Sequence, residues 1–155
     1  MNSSLPPWTY DGSDVHDIPY YAIGFTYCVT FADGTQYLGK KLCKTTEKKQ
    51  ALKNGKPRDN HIRFTYRNKN GKRIPYEILH KELQWRSYIG SFDKTEWESN
   101  EVKTREILSY HATKKGMSYA ENSLLFSRKV LESDAYRNSN IGGAFFPSNI
   151  EEVTQ

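Results

Sequence analysis

Residues 25–41 run Phe-Thr-Tyr-Cys-Val-Thr-Phe-Ala-Asp-Gly-Thr-Gln-Tyr-Leu-Gly-Lys-Lys, and the reading of this stretch decides the fold. From Tyr20 to Phe31 the chain is rich in aromatic and β-branched residues, the types that suit a strand. Ala32-Asp33-Gly34 interrupts the run, and Asp-Gly supplies the positive φ values that a tight hairpin needs. Thr35 to Leu42 then returns as the second strand. In such a hairpin Tyr27 and Tyr37 lie on adjacent strands, within side-chain reach on one face.

Upstream, residues 1–19 hold Pro6, Pro7, Gly12 and Pro19, which predicts an irregular arm anchored by Trp8 and Tyr10. Downstream, residues 44–80 form a basic insertion. Its composition predicts a short helix over Thr46–Lys53, ended by Asn54-Gly55. A second hairpin follows, Ile62–Tyr66 and Arg73–Ile78, turning at Asn70-Gly71, with Pro75 confining its second arm to an edge. Glu77–Trp85 reads as helical, and Thr104–Tyr110 as a third core strand. Ser118 is a good N-cap, with Glu121 completing a capping box, for a helix running to about Glu132. Leu124, Leu125, Val130 and Leu131 give that helix its apolar face. The tail, 139–155, contains Gly142-Gly143 and is expected to be ordered only in part.

The chain of 155 residues is long enough for one domain with a core of its own. The expected class is α/β (α+β): a small antiparallel three-stranded sheet flanked by helices, with the basic hairpin inserted, in a single domain over 1–155.

Charge is distributed unevenly. Between Lys40 and Lys81 there are fourteen Lys or Arg against three acids (Glu47, Asp59 and Glu77), so this segment carries +11 and leaves −6 for the rest of a chain at +5. A polarised basic segment is the electrostatic footprint of a polyanion binder; its plainer reading is a solvated basic loop. Cys28 and Cys43 form no CxxC pair, and the four histidines show no ligand spacing, which argues against a structural zinc. Free thiols, an N-terminus without a basic start and apolar run, and the lack of any stretch of ~18 apolar residues predict a cytoplasmic protein with no membrane partner.

The triplets Phe25-Thr26-Tyr27 and Tyr37-Leu38-Gly39, ten residues apart, resemble the paired signature of the GIY-YIG nucleases, the first triplet keeping only its tyrosine. Further blocks come in the order of the SegE-like tailed-phage members. They are Trp8-Thr9-Tyr10, Lys40-Lys41, Trp85-Arg86-Ser87-Tyr88-Ile89-Gly90-Ser91, Arg105-Glu106-Ile107-Leu108, Glu121 and Asn138. The resemblance covers nearly the whole chain. It implies a phage-encoded DNA endonuclease that uses Mg²⁺ or Mn²⁺ and works in the host-cell cytoplasm; a monomer would nick and a dimer would cut both strands, so a monomer or weak homodimer is expected, with the choice between them open.

Hydrolysing a phosphodiester requires a deprotonated water, neutralisation of the transition-state charge, and help for the leaving alkoxide. A hard divalent cation held by one carboxylate and waters meets the second and third needs. The resemblance gives that metal-binding position to Glu121, which by itself also fits a capping box. It places Tyr27 and Tyr37 in the catalytic site, Tyr27 as candidate general base. A free phenol has a pKa of about 10, so that role needs nearby positive charge, supplied by Lys40, Lys41 and the metal. Ordinary cross-strand packing is the plainer reading of the two rings. The resemblance also assigns Asn138 to orienting the site.

The family pattern places an arginine in the helix after the second triplet. Here that stretch holds Lys40, Lys41, Lys44, Lys48 and Lys49 and no arginine. Arg86 with Tyr88 is the best candidate for the role, and Arg105 the alternative, because a guanidinium binds phosphate bidentately. The expected catalytic set is therefore Tyr27, Tyr37, Lys41, Arg86, Tyr88, Glu121 and Asn138. DNA contacts fall to Lys40, Lys44, Lys48, Lys49, Arg63, Arg67, Arg73 and Arg105, which bind phosphates without reading sequence. Two other functions compete: a non-catalytic DNA-binding protein that retains the fold, favoured by the missing arginine, and a protein adaptor using Trp8, Tyr10 and Trp97.

Overall fold

The computed structural model describes residues 5–90 and 102–150. Its strands are β1 (Trp8–Tyr10), β2 (Ser13–Asp14), β3 (Gly24–Phe31), β4 (Gln36–Leu42), β5 (Lys44–Gln50), β6 (His61–Lys69), β7 (Lys72–Glu82) and β8 (Val102–His111), and helix α1 spans Lys114–Ser127. The chain divides into two compact units, Met1–Leu42 with Gln84–Gln155, and Cys43–Leu83. Among the described residues no helix is long and apolar enough to cross a membrane.

The first unit is built on a five-stranded sheet in the order β2-β1-β8-β3-β4. The hairpin expected at Asp33-Gly34 forms. Gly34 has φ +87°, and Asp33 Oδ1 accepts from the Thr35 N–H at 2.9 Å and its hydroxyl at 2.6 Å. The third core strand, β8, pairs antiparallel with β3. Strand β3 is covered on both faces, which is why its sequence reads as a nearly unbroken apolar run. Alternation sends Phe25, Tyr27, Val29 and Phe31 to one face and Gly24, Thr26 and Cys28 to the other.

An aromatic core occupies the first face. The rings of Trp8 and Phe25 lie 4.9 Å apart, those of Phe25 and Trp85 6.1 Å, and Trp8 Nε1 donates to the Trp85 carbonyl at 2.8 Å. On the second face, Cys28 and Leu38 pack against Leu125 of α1, Val130 and Ile141. Removing a buried leucine such as Leu125 from that cluster costs about 2–5 kcal/mol.

Several local expectations are corrected. The N-terminal arm is not irregular: β1 and β2 form a small hairpin turning at Asp11-Gly12, and β1 pairs parallel with β8 through Trp8 and Arg105. Thr46–Lys53 and Glu77–Trp85 are not helical. Their helix-favouring residues lie in β5 and β7, paired over seven positions from Lys44↔Glu82 to Gln50↔Tyr76, and tertiary pairing overrides propensity. Helix α1 starts earlier, capped by Thr113, whose hydroxyl accepts from the Gly116 N–H at 3.0 Å, so Ser118 and Glu121 are not its capping box. It also ends earlier: Lys129, with φ +50°, takes the left-handed position that stops it at Ser127.

The second unit is a three-stranded sheet, β5-β7-β6. Asn70 and Gly71, at φ +53° and +78°, make the expected turn between β6 and β7. Pro75 sits on the central strand rather than an edge. Its carbonyl accepts from Ala51 N–H at 3.0 Å, and β5 ends at Gln50, so the missing N–H faces the side on which pairing has stopped.

Glu77 is the hub of this unit. Its fully buried carboxylate accepts from the Arg58 main-chain N–H at 2.7 Å and from the Arg58 guanidinium, and it lies 3.1 Å from His61 Nδ1. Burial pushes its carboxyl up, but these hydrogen bonds and the Arg58 charge outweigh it and hold the group below the usual carboxylate range. A depressed value means that the contribution to stability is present above the unfolded pKa, about 4.3, and is lost as pH falls through the folded value. Glu77→Ala should therefore weaken amide-exchange protection around residues 51–60 at pH 7, with the difference from wild type disappearing on acidification. Equal protection at pH 7 would refute the hub.

Candidate active site

The outer edge of β4 is where the site assembles. Strand β4 pairs with β3 on one side only, so every second residue points its N–H and C=O outward. From Gln36 to Lys40 the outward residues are met in turn. Gln36 donates its N–H to the Ala135 carbonyl at 2.8 Å and accepts from the Arg137 N–H at 2.8 Å. Asn138 serves Leu38 on both sides: its Oδ1 accepts from the Leu38 N–H at 3.1 Å, and its Nδ2 donates to the Leu38 carbonyl at 2.7 Å. The Lys40 N–H goes to the Glu121 carboxylate. Three outward residues are thus closed by the segment after α1 and by α1 itself.

Glycine 39 lies between the last two. A Cβ there would stand 2.5 Å from Tyr27 Oη and 2.7 Å from Cζ, so the Tyr27 ring lies directly across this residue. Tyr27 is buried; its ring centroid is 6.3 Å from Tyr37 and 5.7 Å from Tyr88, and its hydroxyl is 3.5 Å from that of Tyr88, the long limit of a hydrogen bond. Lys41 Nζ sits 4.7 Å from the centre of the Tyr88 ring. On the helix side, Lys40 Nζ donates to the Ser118 hydroxyl at 2.6 Å.

Helix α1 packs on the face of the sheet opposite the phenols. Glu121 nevertheless reaches their neighbourhood, because its carboxylate comes to the edge and adds to the negative field on Tyr27. Burial pushes the Tyr27 phenol well above its usual range, and Tyr88, Tyr37 and Glu121 push it further, so the group is a neutral phenol. This is opposite to the direction expected for a base assisted by Lys40 and Lys41. Burial also raises the Glu121 carboxyl, and the Lys40 charge and N–H only partly offset it, which leaves a half-buried carboxylate short of positive partners.

The two candidate arginines lie elsewhere. Arg86 is exposed, donating to Asp17 at 2.6 Å and to the His16 carbonyl at 3.2 Å. Arg105 is buried and anchored on carbonyls: Nε donates to Pro6 at 2.7 Å, and Nη1 to Arg86 at 2.7 Å and Tyr88 at 2.8 Å. Burial brings it down to about 10, still charged at neutral pH. Its grip on two carbonyls of 86–88 positions the segment that carries Tyr88.

Of the expected catalytic residues, the structure gathers Tyr27, Tyr37, Lys41, Tyr88, Glu121 and Asn138 along one edge. It leaves Arg86 on a surface ion pair with Asp17. Lys40, expected as a DNA contact, belongs to the same edge, and Ser118, expected as a cap, holds its ammonium. Lys44, Lys48, Lys49, Arg63, Arg67 and Arg73 belong to the Cys43–Leu83 unit. Ser91 and Trp97 lie outside the described residues. The bracing role of Arg105 had no local signal in the sequence.

Comparison with known families gives one match: the family described as "Putative endonuclease segE, GIY-YIG domain" matches residues 8–141. No curated protein and no solved structure matches the chain.

The close approach at Gly39 is directly testable. The Tyr27 ring is hemmed by Trp8 and Tyr88, so it cannot swing away from a new methyl group. Gly39→Ala should cost about 1–3 kcal/mol in urea unfolding. An unchanged denaturation midpoint would show that the ring does not lie on the glycine.

Proposed function

The chain belongs to the SegE-type GIY-YIG endonuclease family, phosphodiester hydrolases by activity, and on that premise we propose that it is a divalent-metal-dependent DNA endonuclease working at the outer edge of β4. The observation that carries this reading is the meeting of one under-compensated carboxylate, Glu121, with three phenols and two lysines beside Gly39. A phage source is part of the proposal and rests on the resemblance alone.

The donor set suits a hard cation. Among the described residues no group of three His, Cys, Asp or Glu forms a metal cage, and a single carboxylate with retained waters is how Mg²⁺ is commonly held. Glu121 would hold Mg²⁺ or Mn²⁺, and the positive charge would relieve its raised pKa. Bound there, the cation supplies charge neutralisation at the phosphate and a more acidic water.

The chain's own residues have separate tasks in this reading. Lys41, on the phenol face, and Lys40, on the helix side, place positive charge on either side of Gly39, where a scissile phosphate would lie. Tyr27 is a proton holder in the resting site, because its burial disfavours the phenolate. Tyr37 and Tyr88 flank it and offer hydroxyls to phosphate oxygens. Asn138 keeps β4 in register with the segment after α1, which fixes Glu121 relative to Gly39. With Arg86 on Asp17 and Arg105 on main-chain carbonyls, phosphate would be gripped by the point charges of Lys40 and Lys41 rather than by a planar fork.

A second reading is a DNA-binding protein that retains the fold without cleavage. Two observations favour it: Arg86 and Arg105 are turned to other partners, and Tyr27 is shifted away from base range.

Plasmid cleavage with Mg²⁺ or Mn²⁺ separates the two. Glu121→Ala should lower the rate by at least about 100-fold, more than the loss of an outer-shell partner alone. If wild type and variant are equally inert on several DNAs, modified DNA included, while binding stays salt-dependent, the second reading replaces the first.

A further inference from the structure

The Cys43–Leu83 unit separates its charges onto two faces. In a strand, residues two apart share a face, so the register assigns each side chain. On β7, Arg73, Pro75, Glu77, Leu79 and Lys81 face one way, while Lys72, Ile74, Tyr76, Ile78 and His80 face the other, with Glu82 at the far end of that second face, opposite Lys44 of β5. Across the pairs Phe64↔Glu77 and Lys49↔Glu77, Phe64, Tyr66, Glu47 and Lys49 join the first face. Across Arg67↔Ile74, Lys69↔Lys72, Arg63↔Ile78 and Lys48↔Ile78, the second face gains Arg63, Arg67, Lys69 and Lys48. Side-chain contacts agree: Arg73 stacks on Tyr66 at 4.0 Å, and Lys48 lies over Tyr76 at 5.4 Å.

The first face is for the most part electrically settled, Arg73 stacking on the Tyr66 ring. Lys49 and Lys81 lie 3.7 and 3.8 Å from Glu47, Arg58 pairs with Glu77, and the 51–60 loop is tied over Glu77 through Arg58. The second face is not. Lys48, Arg63, Arg67, Lys69 and Lys72 are all exposed, and among the described residues none has a carboxylate partner. The half-exposed side chains of Ile74, Tyr76 and Ile78 form the strip between them.

We propose that this second face is a phosphate-tracking surface for duplex DNA, distinct in chemistry from the cleavage site and without sequence preference. The inference rests on DNA being the substrate, as argued above. Like-charged side chains left without counter-charges repel one another, and a polyanion removes that repulsion while releasing its own counterions. Along β6, Arg67 and Lys69, two residues apart, are spaced about 7 Å and Arg63 and Arg67 about 14 Å, and strands lie about 4.8 Å apart, so the face presents a grid of charge rather than a point. Lysines and arginines with no rigid polar neighbours to orient them make backbone contacts, which set affinity and not sequence choice.

The test compares two triple variants of the full chain, each removing three positive charges from exposed positions. One carries Arg63→Ala, Arg67→Ala and Lys72→Ala on the proposed face, the other Lys49→Ala, Arg73→Ala and Lys81→Ala on the opposite face. Binding to a short DNA duplex is measured in EDTA across a salt series, with thermal melting to confirm that both variants fold. The first variant should lose roughly 2–3 from the slope of log K against log salt and weaken binding by tens-fold or more at low salt, equally for unrelated sequences. The second should keep nearly the wild-type slope. Equal losses in the two variants, an unchanged slope in the first, or preferential competition by an RNA duplex would each overturn the proposal. Because EDTA removes cleavage from the measurement, an inactive enzyme with this salt behaviour would refute the nuclease reading while leaving the surface assigned.

Discussion

A sheet has to end somewhere, and in the first unit it ends at β4, whose outward N–H and C=O groups need partners. The chain meets them with its own later segments: backbone at Gln36, an amide side chain at Leu38 and a carboxylate at Lys40. Peptide-like closure at the first two positions is ordinary edge management. Closure by a carboxylate is not neutral, because the charge comes to rest half-buried, and Lys40 offsets that burial only in part. The same hydrogen-bonding constraint that registers the helix and the 135–138 segment on β4 therefore creates a site with unspent negative charge. Gly39 completes the arrangement: lacking a side chain, it lets the Tyr27 ring cross the strand just where the carboxylate arrives from the other face.

Legibility in the sequence tracks how local the deciding physics is. Asp33-Gly34 and Asn70-Gly71 announce turns because only a few residues tolerate positive φ there, and both hairpins form where those pairs stand. The segments 46–53 and 77–85 mislead because Glu, Lys, Gln, Ala and Leu favour helices in isolation. What makes them strands is their pairing with each other across some thirty residues. The parallel seat of Trp8 beside Arg105 likewise depends on a partner 97 residues away and has no local signature. The resemblance points to Tyr27, Tyr37, Glu121 and Asn138, the two phenols from one hairpin and the other two from α1 and the segment after it. The way they meet was not foreseeable, since it depends on α1 covering the face opposite the phenols.

The displaced arginines follow from the same geometry. Arg105 sits on the aromatic face among three carbonyls from two separate stretches, with the Trp8 ring against its guanidinium at 4.8 Å. A lysine could not satisfy three acceptors in that fan, so the fork is spent on bracing the Tyr88 segment. Lys40 and Lys41 then supply the charge at the edge itself. They flank the strand because consecutive residues point to opposite faces, whereas one arginine could reach only one side. The doublet after Gly39 is, in this sense, a two-sided answer to a site that draws its groups from both faces of a strand.

The second unit shows how much charge placement depends on register. Its strands alternate cations with aromatic and aliphatic residues, so a slip of one position on β6 would move Arg63, Arg67 and Lys69 onto the face that holds Glu77 and carry Phe64 and Tyr66 to the other. Register here is set by the two-residue turn at Asn70-Gly71, and by the buried Glu77 carboxylate, which fixes Arg58 and His61 to one side only. A buried acid in a strongly basic segment is therefore what sorts the cations: by drawing Arg58 and His61 to itself and anchoring the loop over them, it leaves Lys48, Arg63, Arg67, Lys69 and Lys72 together on the other face, where Glu82 sits at the far end, opposite Lys44.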